Sequence, residues 1–500
     1  MKRLTLLCLG TAALGVPLVL LGFVVGEGDA AQEGKEPAPQ IGRFEPRSSV
    51  WGKYYPRQYA TFLGTRKSDR ITDMLKKEPA LVVLWAGYGF SKDYNAPRGH
   101  AYALEDNINT LRTGAPVDGN SGPMPTACWT CKSPDVPRLI AKIGEKDFFT
   151  GKWARHGGEI ANPIGCADCH DSQTMALTVT RDYLKRALDA EGSLRFADAG
   201  KEEMRSLVCA QCHSEYYFKK TPWKDASGED KIAGVVTFPW DKGLSAEAME
   251  AYYDERGFVD WTHKLSRAPM LKAQHPGYET FVTGTHGRNG VTCADCHMPV
   301  KSEGGASFTS HQIGNPLDAM EDTCLNCHDS DPEELRAVVE RKRERRDELS
   351  RLAMDILARA HLEAAKAWDL GATEEEMRPA LQDIRHGQWR WDYAVAAHGA
   401  FFHAPEEVLR VLGSAIAKAQ EARVKLRAIL AKYGAGDYEA PDFSTKEKAQ
   451  ALIGLPYGKL VEEKKRFLKG LRQQWIEEAK EKGIFDPASR EGIQDRMSYQ

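Results

Sequence analysis

Hydrophobic and polar positions divide the 500-residue chain into stretches of different character. An apolar run from Leu4 to Val25 follows Lys2 and Arg3 and precedes the small residues Gly28-Asp29-Ala30-Ala31. Basic, apolar, then small is the order of a secretory signal, so residues 1–30 read as an export segment. The run is longer than the ~7–15 residues of a usual signal core, so an uncleaved anchor stays open beside cleavage. Residues 31–45 are polar and carry Pro37 and Pro39, a linker with nothing to bury. Residues 46–330 are dense in Gly, Pro and aromatic side chains and hold few long periodic segments.

From Asp331 the pattern turns helical. Asp331 suits a cap, Pro332 the first helical position, and Glu333 and Glu334 the positive end of the dipole. Leu349, Leu352, Ala353, Ile356 and Ala360 then recur at helical spacing until Gly371. Such a helix is ~60 Å long at 1.5 Å per residue. Further helices are expected from Thr373, which forms a capping box with Glu376, from Pro405 to Tyr433, and from Lys446 to Lys482. Strand signals are weak, so the fold class is mostly α. Residues 331–500 read as a long-helix region whose apolar stripe would pair with a second subunit or be covered within one.

Composition narrows the function. Hydrophobic residues at 42% and charged residues at 28% suit a soluble globular chain rather than a multi-span membrane protein or a disordered one. With 68 basic and 71 acidic residues the net charge is −3, so there is no electrostatic footprint for a nucleic-acid partner.

Cysteine is the unusual residue. Of eleven, Cys8 lies in the export segment. The other ten form five C-x-x-C units, at Cys128/Cys131, Cys166/Cys169, Cys209/Cys212, Cys293/Cys296 and Cys324/Cys327. Four are followed at once by histidine (His170, His213, His297, His328), the attachment signature of c-type haem. Cysteines three apart on one turn meet the two porphyrin vinyl groups, and the next residue brings its imidazole to the iron. Structural zinc would not ask for that histidine, and disulfides at this spacing would close only tiny loops. Covalent haem in residues 46–330 also accounts for packing, because porphyrins supply apolar surface where aliphatic content is modest.

The first unit departs from this rule: Lys132 stands where the histidine should be. A decayed site with the lysine in solvent is the plain alternative, but both cysteines and their spacing are kept. A lysine ligates only as the neutral amine, which burial and a metal's charge favour. A haem held by Lys132 alone keeps an open position for substrate, whereas haems closed by two histidines only pass electrons. Ten histidines lie outside the units, enough to close four haems.

Several stretches carry a family resemblance. They are Leu111-Arg112-Thr113-Gly114-Ala115-Pro116, the C-W-T-C-K unit at 128–132 with Ser133-Pro134-Asp135, and Cys209 to Phe218. Pro269 to Pro276, Ile313-Gly314-Asn315-Pro316 and His398 to Glu407 complete the set. The chain resembles the ammonia-forming pentahaem cytochrome c nitrite reductases over nearly all of its mature length. The resemblance implies a multihaem cytochrome c fold with a haem-packed core and five covalently bound haem c groups. Lys132 would hold the catalytic haem, with Arg112, Tyr216 and His275 lining its open face.

The resemblance also implies one calcium ion, held by the side chains of Glu215 and Gln274 and the carbonyls of Tyr216 and Lys272. The distal ligands it points to are His311 for the Cys166/Cys169 haem, His100 for Cys209/Cys212, His398 for Cys293/Cys296 and His286 for Cys324/Cys327. His403, five residues on, is the alternative to His398. His156, His263, His361 and His386 are left as structural or surface residues. Nitrite would be reduced by six electrons to ammonium in the periplasm by a homodimer. Its electrons would come from a membrane quinol dehydrogenase or a soluble multihaem carrier. Hydroxylamine and sulfite are further substrates, and a purely electron-conducting cytochrome is the reading from a different class.

Overall fold

The structure, a computed structural model, describes residues 40–491 and 493. The export segment and most of the linker lie outside the described residues. Up to Asn326 the chain is a series of short α and 3-10 helices joined by turns. Three two-stranded antiparallel hairpins interrupt it, Tyr217–Lys224 with Asp230–Thr237, Trp261–Thr262 with Pro269–Met270, and Val300–Glu303 with Ala306–Thr309. The weak strand signal is matched by this small strand content.

The long helix runs from Pro332 to Asp369. Asp331 accepts from the amides of Glu333 (2.9 Å) and Glu334 (3.1 Å), and Gly371, at φ +91°, stops it. Thr373 and Glu376 form the expected capping box at the head of Glu374–Ala396. Pro405–Lys432 follows as one helix. Lys446 to Lys482 is not one helix but three, Lys446–Leu452, Tyr457–Lys469 and Leu471–Glu481. Pro456 and Gly470 explain the breaks, since neither supports a continuous helical interior.

The apolar stripe of the first long helix is covered within the chain. Ala353, Ile356 and Ala360 are buried with Ile384, Ala415, Ala419 and Leu426 of the next two helices in one core, and only Leu352 of that stripe stands half exposed. The stripe is therefore no argument for a subunit contact.

The last helices fold back over the part of the chain that carries the first cysteine pair. Trp475, 3% exposed, sets its ring against Trp129 (6.5 Å), Trp153 (5.7 Å) and Phe467 (5.2 Å). Asp486 accepts from the amide and hydroxyl of Ser49, and its own amide donates to Asn162. Arg472 and Arg490 both pair with the buried Glu105. Replacing a buried Trp by Ala costs about 3–5 kcal/mol. Trp475→Ala should accordingly lower the urea midpoint of the holoprotein. A loss under about 1 kcal/mol would show that this ring does not anchor the C-terminal segment.

Candidate functional site

Each C-x-x-C unit sits on a single turn of helix. The amide of His170 donates to the Cys166 carbonyl (3.0 Å), that of His213 to Cys209 (2.9 Å) and that of His328 to Cys324 (3.0 Å). Cys293–His297 is a helical turn capped by Thr292 and Asp295. One turn thus presents two thiols and an imidazole to the same side, as porphyrin attachment requires. None of these ten cysteines is in a disulfide. The Cys131 thiol lies close to that of Cys212, and Cys209 close to Cys293. The first, third and fourth units are therefore neighbours in a row.

Burial divides the ten. Nine are partly buried, but Cys327, expected with its unit in a haem-packed core, is exposed. The reason is its place in the chain. The 3-10 turn Cys324–Asn326 lies at the rim, and Asn326 through Asp331 all face solvent before the long helix begins. Only Cys324 of this pair packs inward, against the small cluster of Leu317, Met320, Val339 and Phe401. The packed core therefore does not extend to Cys327, and a group attached there would keep one edge in water.

The histidines sort by what their ring nitrogens do. Two metal–nitrogen bonds of about 2.0 Å, in line with two imidazoles, put the ring centres roughly 6 Å apart. His100 and His213 are 6.1 Å apart, His170 and His311 6.0 Å, His286 and His328 6.2 Å, and His297 and His403 6.3 Å. The Nδ1 atoms of His170, His311 and His297 face the carbonyls of Met175 (2.9 Å), Thr309 (2.9 Å) and Gly314 (2.8 Å). A carbonyl only accepts, so Nδ1 carries the proton and Nε2 is left for a metal.

Three of the expected pairs are brought together. The fourth is not: His297 meets His403, while His398 sits beside His275 at 6.4 Å. The physical reason is the short helix Ala400–His403, which lies between the two histidines and turns His403 toward the fourth unit.

The histidines left out of the pairing are engaged elsewhere. His263 takes two amides on Nδ1 and contacts the Val83 carbonyl with Nε2 (2.8 Å). His361 bonds Ser266 and Gln388 (both 2.8 Å), His156 bonds Phe148, and His386 bonds Asp254.

Around the first unit gather the residues expected there. Arg112 and Lys132 both act electrostatically on the Cys128 thiol, Lys132 acts on His275, and Cys131 and Cys128 act on Tyr216. Arg112 stands on the 3-10 turn Leu111–Thr113, closed by Gly114 at φ +76°, where an added Cβ would strike Pro123. Its guanidinium lies 4.2 Å over the Phe90 ring and meets no carboxylate among the described residues. Burial, then His398 and Lys132, push His275 down to about 3, so its imidazole is neutral, and its Nδ1 is buried without a hydrogen-bond partner. Burial, reinforced by the thiols and Glu215, holds the Tyr216 phenol protonated.

Behind this face lies an oxygen-rich pocket. Glu215 is fully buried and accepts from the Gln274 amide (2.5 Å) and the Tyr253 hydroxyl (3.1 Å). Burial first, then the charges of Glu279 and Asp260, raise its pKa well above the carboxylate range. The Lys272 ammonium is spent on Asp392 (2.8 Å), while the Lys272 carbonyl faces the Gln274 side-chain amide (3.2 Å). One carboxylate, one amide and nearby carbonyls suit a hard cation such as calcium, which would neutralise the repelling acids. Among the described residues no group of three or more His, Cys, Asp or Glu side chains converges as an alternative metal centre.

The motif reading passed over Phe90, Tyr88 and Asp93. Tyr88 bonds Gln274 and stacks on Trp261 (4.6 Å), and Asp93 accepts from the Thr110 hydroxyl (3.0 Å) and the Leu111 amide (3.1 Å). The segment Tyr88-Gly-Phe carries no chemical signature, so only the folded chain ties it to Arg112.

Residues 47–485 match the family model described as cytochrome c552. A cytochrome c-552 of Desulfotalea psychrophila is 58% identical over 463 residues, covering 93% of this chain and 91% of that protein. Another, of Aliarcobacter butzleri, is 54% identical over 495 residues, 99% of each chain. Among solved structures, a cytochrome c nitrite reductase catalytic subunit from Desulfovibrio desulfuricans, a protein with two calcium sites, superposes with a TM-score of 0.69. It is 31% identical and is covered to 91%, against 84% of this chain. The helical architecture, the paired imidazoles and these similarities agree, and the chain belongs to the cytochrome c552 family.

Proposed function

We propose that this protein is an exported, ammonia-forming nitrite reductase. The observation that carries the reading is the contrast between one lysine-bearing unit beside an unpaired arginine and four units whose histidines each face a second imidazole. Five covalent haem c groups, when bound, supply the stored electrons and the iron at which the anion is reduced. Lys132 would be the residue that holds the haem of the first unit.

The chain's own residues handle charge and protons. Arg112 is permanently cationic and, lacking a carboxylate, is free to hold the nitrite anion. His275, neutral at working pH, offers an N–H to a substrate oxygen. An anion beside it raises its proton affinity, so a proton arriving from water rests there and passes on. Tyr216, kept protonated, donates a second hydrogen bond. Glu215, Gln274 and the carbonyls of Tyr216 and Lys272 would hold calcium, which would fix the backbone on which Tyr216 and His275 stand.

His100, His311, His286 and, in place of His398, His403 would hold the four histidine-bearing haems from the facing side. His398 then belongs to the surroundings of His275. The closeness of the first, third and fourth units would let electrons pass between the haems they carry. Cys327 still serves as an attachment point, and its exposure leaves the fifth unit within reach of a donor. The haem-bearing region, 46–330, and the helices after 331 serve chemistry and support respectively. The homodimer rests on the family resemblance, and exposed Leu352 and Val424 on two long helices are the faces to probe. The electron donor is a cytochrome, either a membrane quinol dehydrogenase or a soluble carrier.

The deciding assay is reduced-dye-driven ammonium formation from nitrite by the purified holoprotein. Turnover is expected, with a loss of ~100-fold or more in Lys132→His, where an imidazole would be a poor substitute for the amine. No turnover by fully loaded protein would favour the electron conduit, and ammonium from hydroxylamine or sulfide from sulfite alone would move the substrate assignment.

The ligand assignment has its own test. His403→Ala should convert one low-spin haem signal to high spin, and His398→Ala should leave all four unchanged; the reverse pattern would restore His398. Removal of calcium by a chelator should lower activity ~10–100-fold with haem content intact, and added calcium should restore it. Full activity in protein shown by metal analysis to hold no calcium would reject the ion's positioning role.

A further inference from the structure

Among the described residues Arg112 meets no counter-ion that would fix its side chain, so its aim depends on the backbone turn beneath it. That turn is held from two sides. On one, buried Asp93 accepts from the Thr110 hydroxyl and the Leu111 amide. On the other stands Lys464, carried by the helix Tyr457–Lys469 more than 350 positions away. Lys464 is 1% exposed, and its ammonium donates to the carbonyl of Ile108 (2.8 Å) and the hydroxyl of Thr113 (3.2 Å). Thr113, fully buried, donates in turn to the carbonyls of Asn107 (2.8 Å) and Thr110 (3.0 Å). The Lys464 ammonium forms no ion pair with a carboxylate among the described residues; its other close contact is the Phe467 ring at 5.1 Å.

A lysine buried in this way is costly, because two neutral acceptors replace the water around a full charge. Burial pushes it down to about 7, with Asp93 opposing the shift and Arg112 adding to it. A methionine would fill the same space without that cost. What lysine adds is a fork of donors that clamps residues 108 and 113, the two ends of the segment carrying Arg112, and a second positive charge behind the guanidinium.

We propose that Lys464 is a positioning residue for anion binding: it pins the Ile108–Thr113 segment from behind and so sets where Arg112 meets its substrate. The proposal rests on the reading of Arg112 as the group that holds nitrite. It also gives the C-terminal helices a part in substrate affinity that their distance in sequence conceals.

The test is steady-state reduction of nitrite and of neutral hydroxylamine by Lys464→Met holoprotein, beside Arg112→Gln. Lys464→Met should raise the KM for nitrite ~tenfold, keep kcat within about twofold, and leave the KM for hydroxylamine and the haem spectrum unchanged. Lys464→Gln, which retains two N–H donors, should recover part of the nitrite affinity. Should the methionine variant fail to assemble, Lys464→Gln and Thr113→Val carry the same comparison. A general fall in kcat for both substrates, or an unchanged nitrite KM in these variants while Arg112→Gln raises it, would overturn the role of Lys464. An unchanged nitrite KM in Arg112→Gln would instead reject the underlying reading of Arg112.

Discussion

A backbone carbonyl that accepts from one nitrogen of an imidazole fixes the ring and leaves the other nitrogen for a metal, and that interaction aims three of the paired rings in this molecule. Where a backbone carbonyl takes the proton of Nδ1, as at His170, His297 and His311, the remaining nitrogen points at a facing ring about one metal diameter away. Where both nitrogens are engaged, as in His263 and His361, the ring is a structural strut. These two rings stack at 3.6 Å and are both depressed by burial, so they stay uncharged and join the first long helix to the hairpin that leads to His275. The same side chain thus plays opposite parts, and the difference is a single hydrogen bond.

The fold follows from that arrangement. Short turns suffice for residues 46–330 because each needs only to present a thiol pair and a ring, while long helices and aromatic clusters supply rigidity from outside. The cluster of Trp129, Trp153, Phe467 and Trp475 joins the first cysteine unit to the end of the chain. Haem attachment and C-terminal packing therefore share residues, with Trp129 standing between Cys128 and Cys131 and also carrying the contact. The fifth unit has no such cover, and Cys327 stands in solvent where Cys128 and Cys131 are enclosed.

Local chemistry was legible in the sequence. The caps at Asp331 and Thr373, the stop at Gly371 and the five cysteine turns all depend on neighbours within a few positions, and each formed as the residues dictate. What escaped was set by contacts between distant segments. A choice between His398 and His403 turns on which way one short helix faces, and five residues of spacing do not encode it. The exposure of Cys327 is of the same kind, since a C-x-x-C-H motif reads alike at the rim and in the core. The break at Gly470 was overridden in the reading by the charge-rich helical pattern on both sides. Lys464 looked like any exposed lysine in a run of Glu462, Glu463 and Lys465, yet it is the one turned inward.

The distribution of buried charge gives the last step. Most arginines of this chain are matched: Arg181 with Asp168, Arg385 with Asp254, Arg423 and Arg427 with Glu363. At the first cysteine unit the pattern reverses, for among the described residues Arg112 and Lys132 pair with no carboxylate, Asp93 being spent on the backbone turn beneath Arg112, while other acids gather beside Tyr216 and His275. Glu215, Glu279 and Asp260 crowd there, each with its pKa raised first by burial. Unpaired basic groups thus stand at one part of the site and acids that resist ionising together at another. A small anion relieves the first and a divalent cation the second, and each strengthens the other's hold across a poorly screened interior. A calcium ion held there would lower the cost of keeping acids beside Tyr216 and His275, and would let those residues stay rigid while the Arg112 side remains positive.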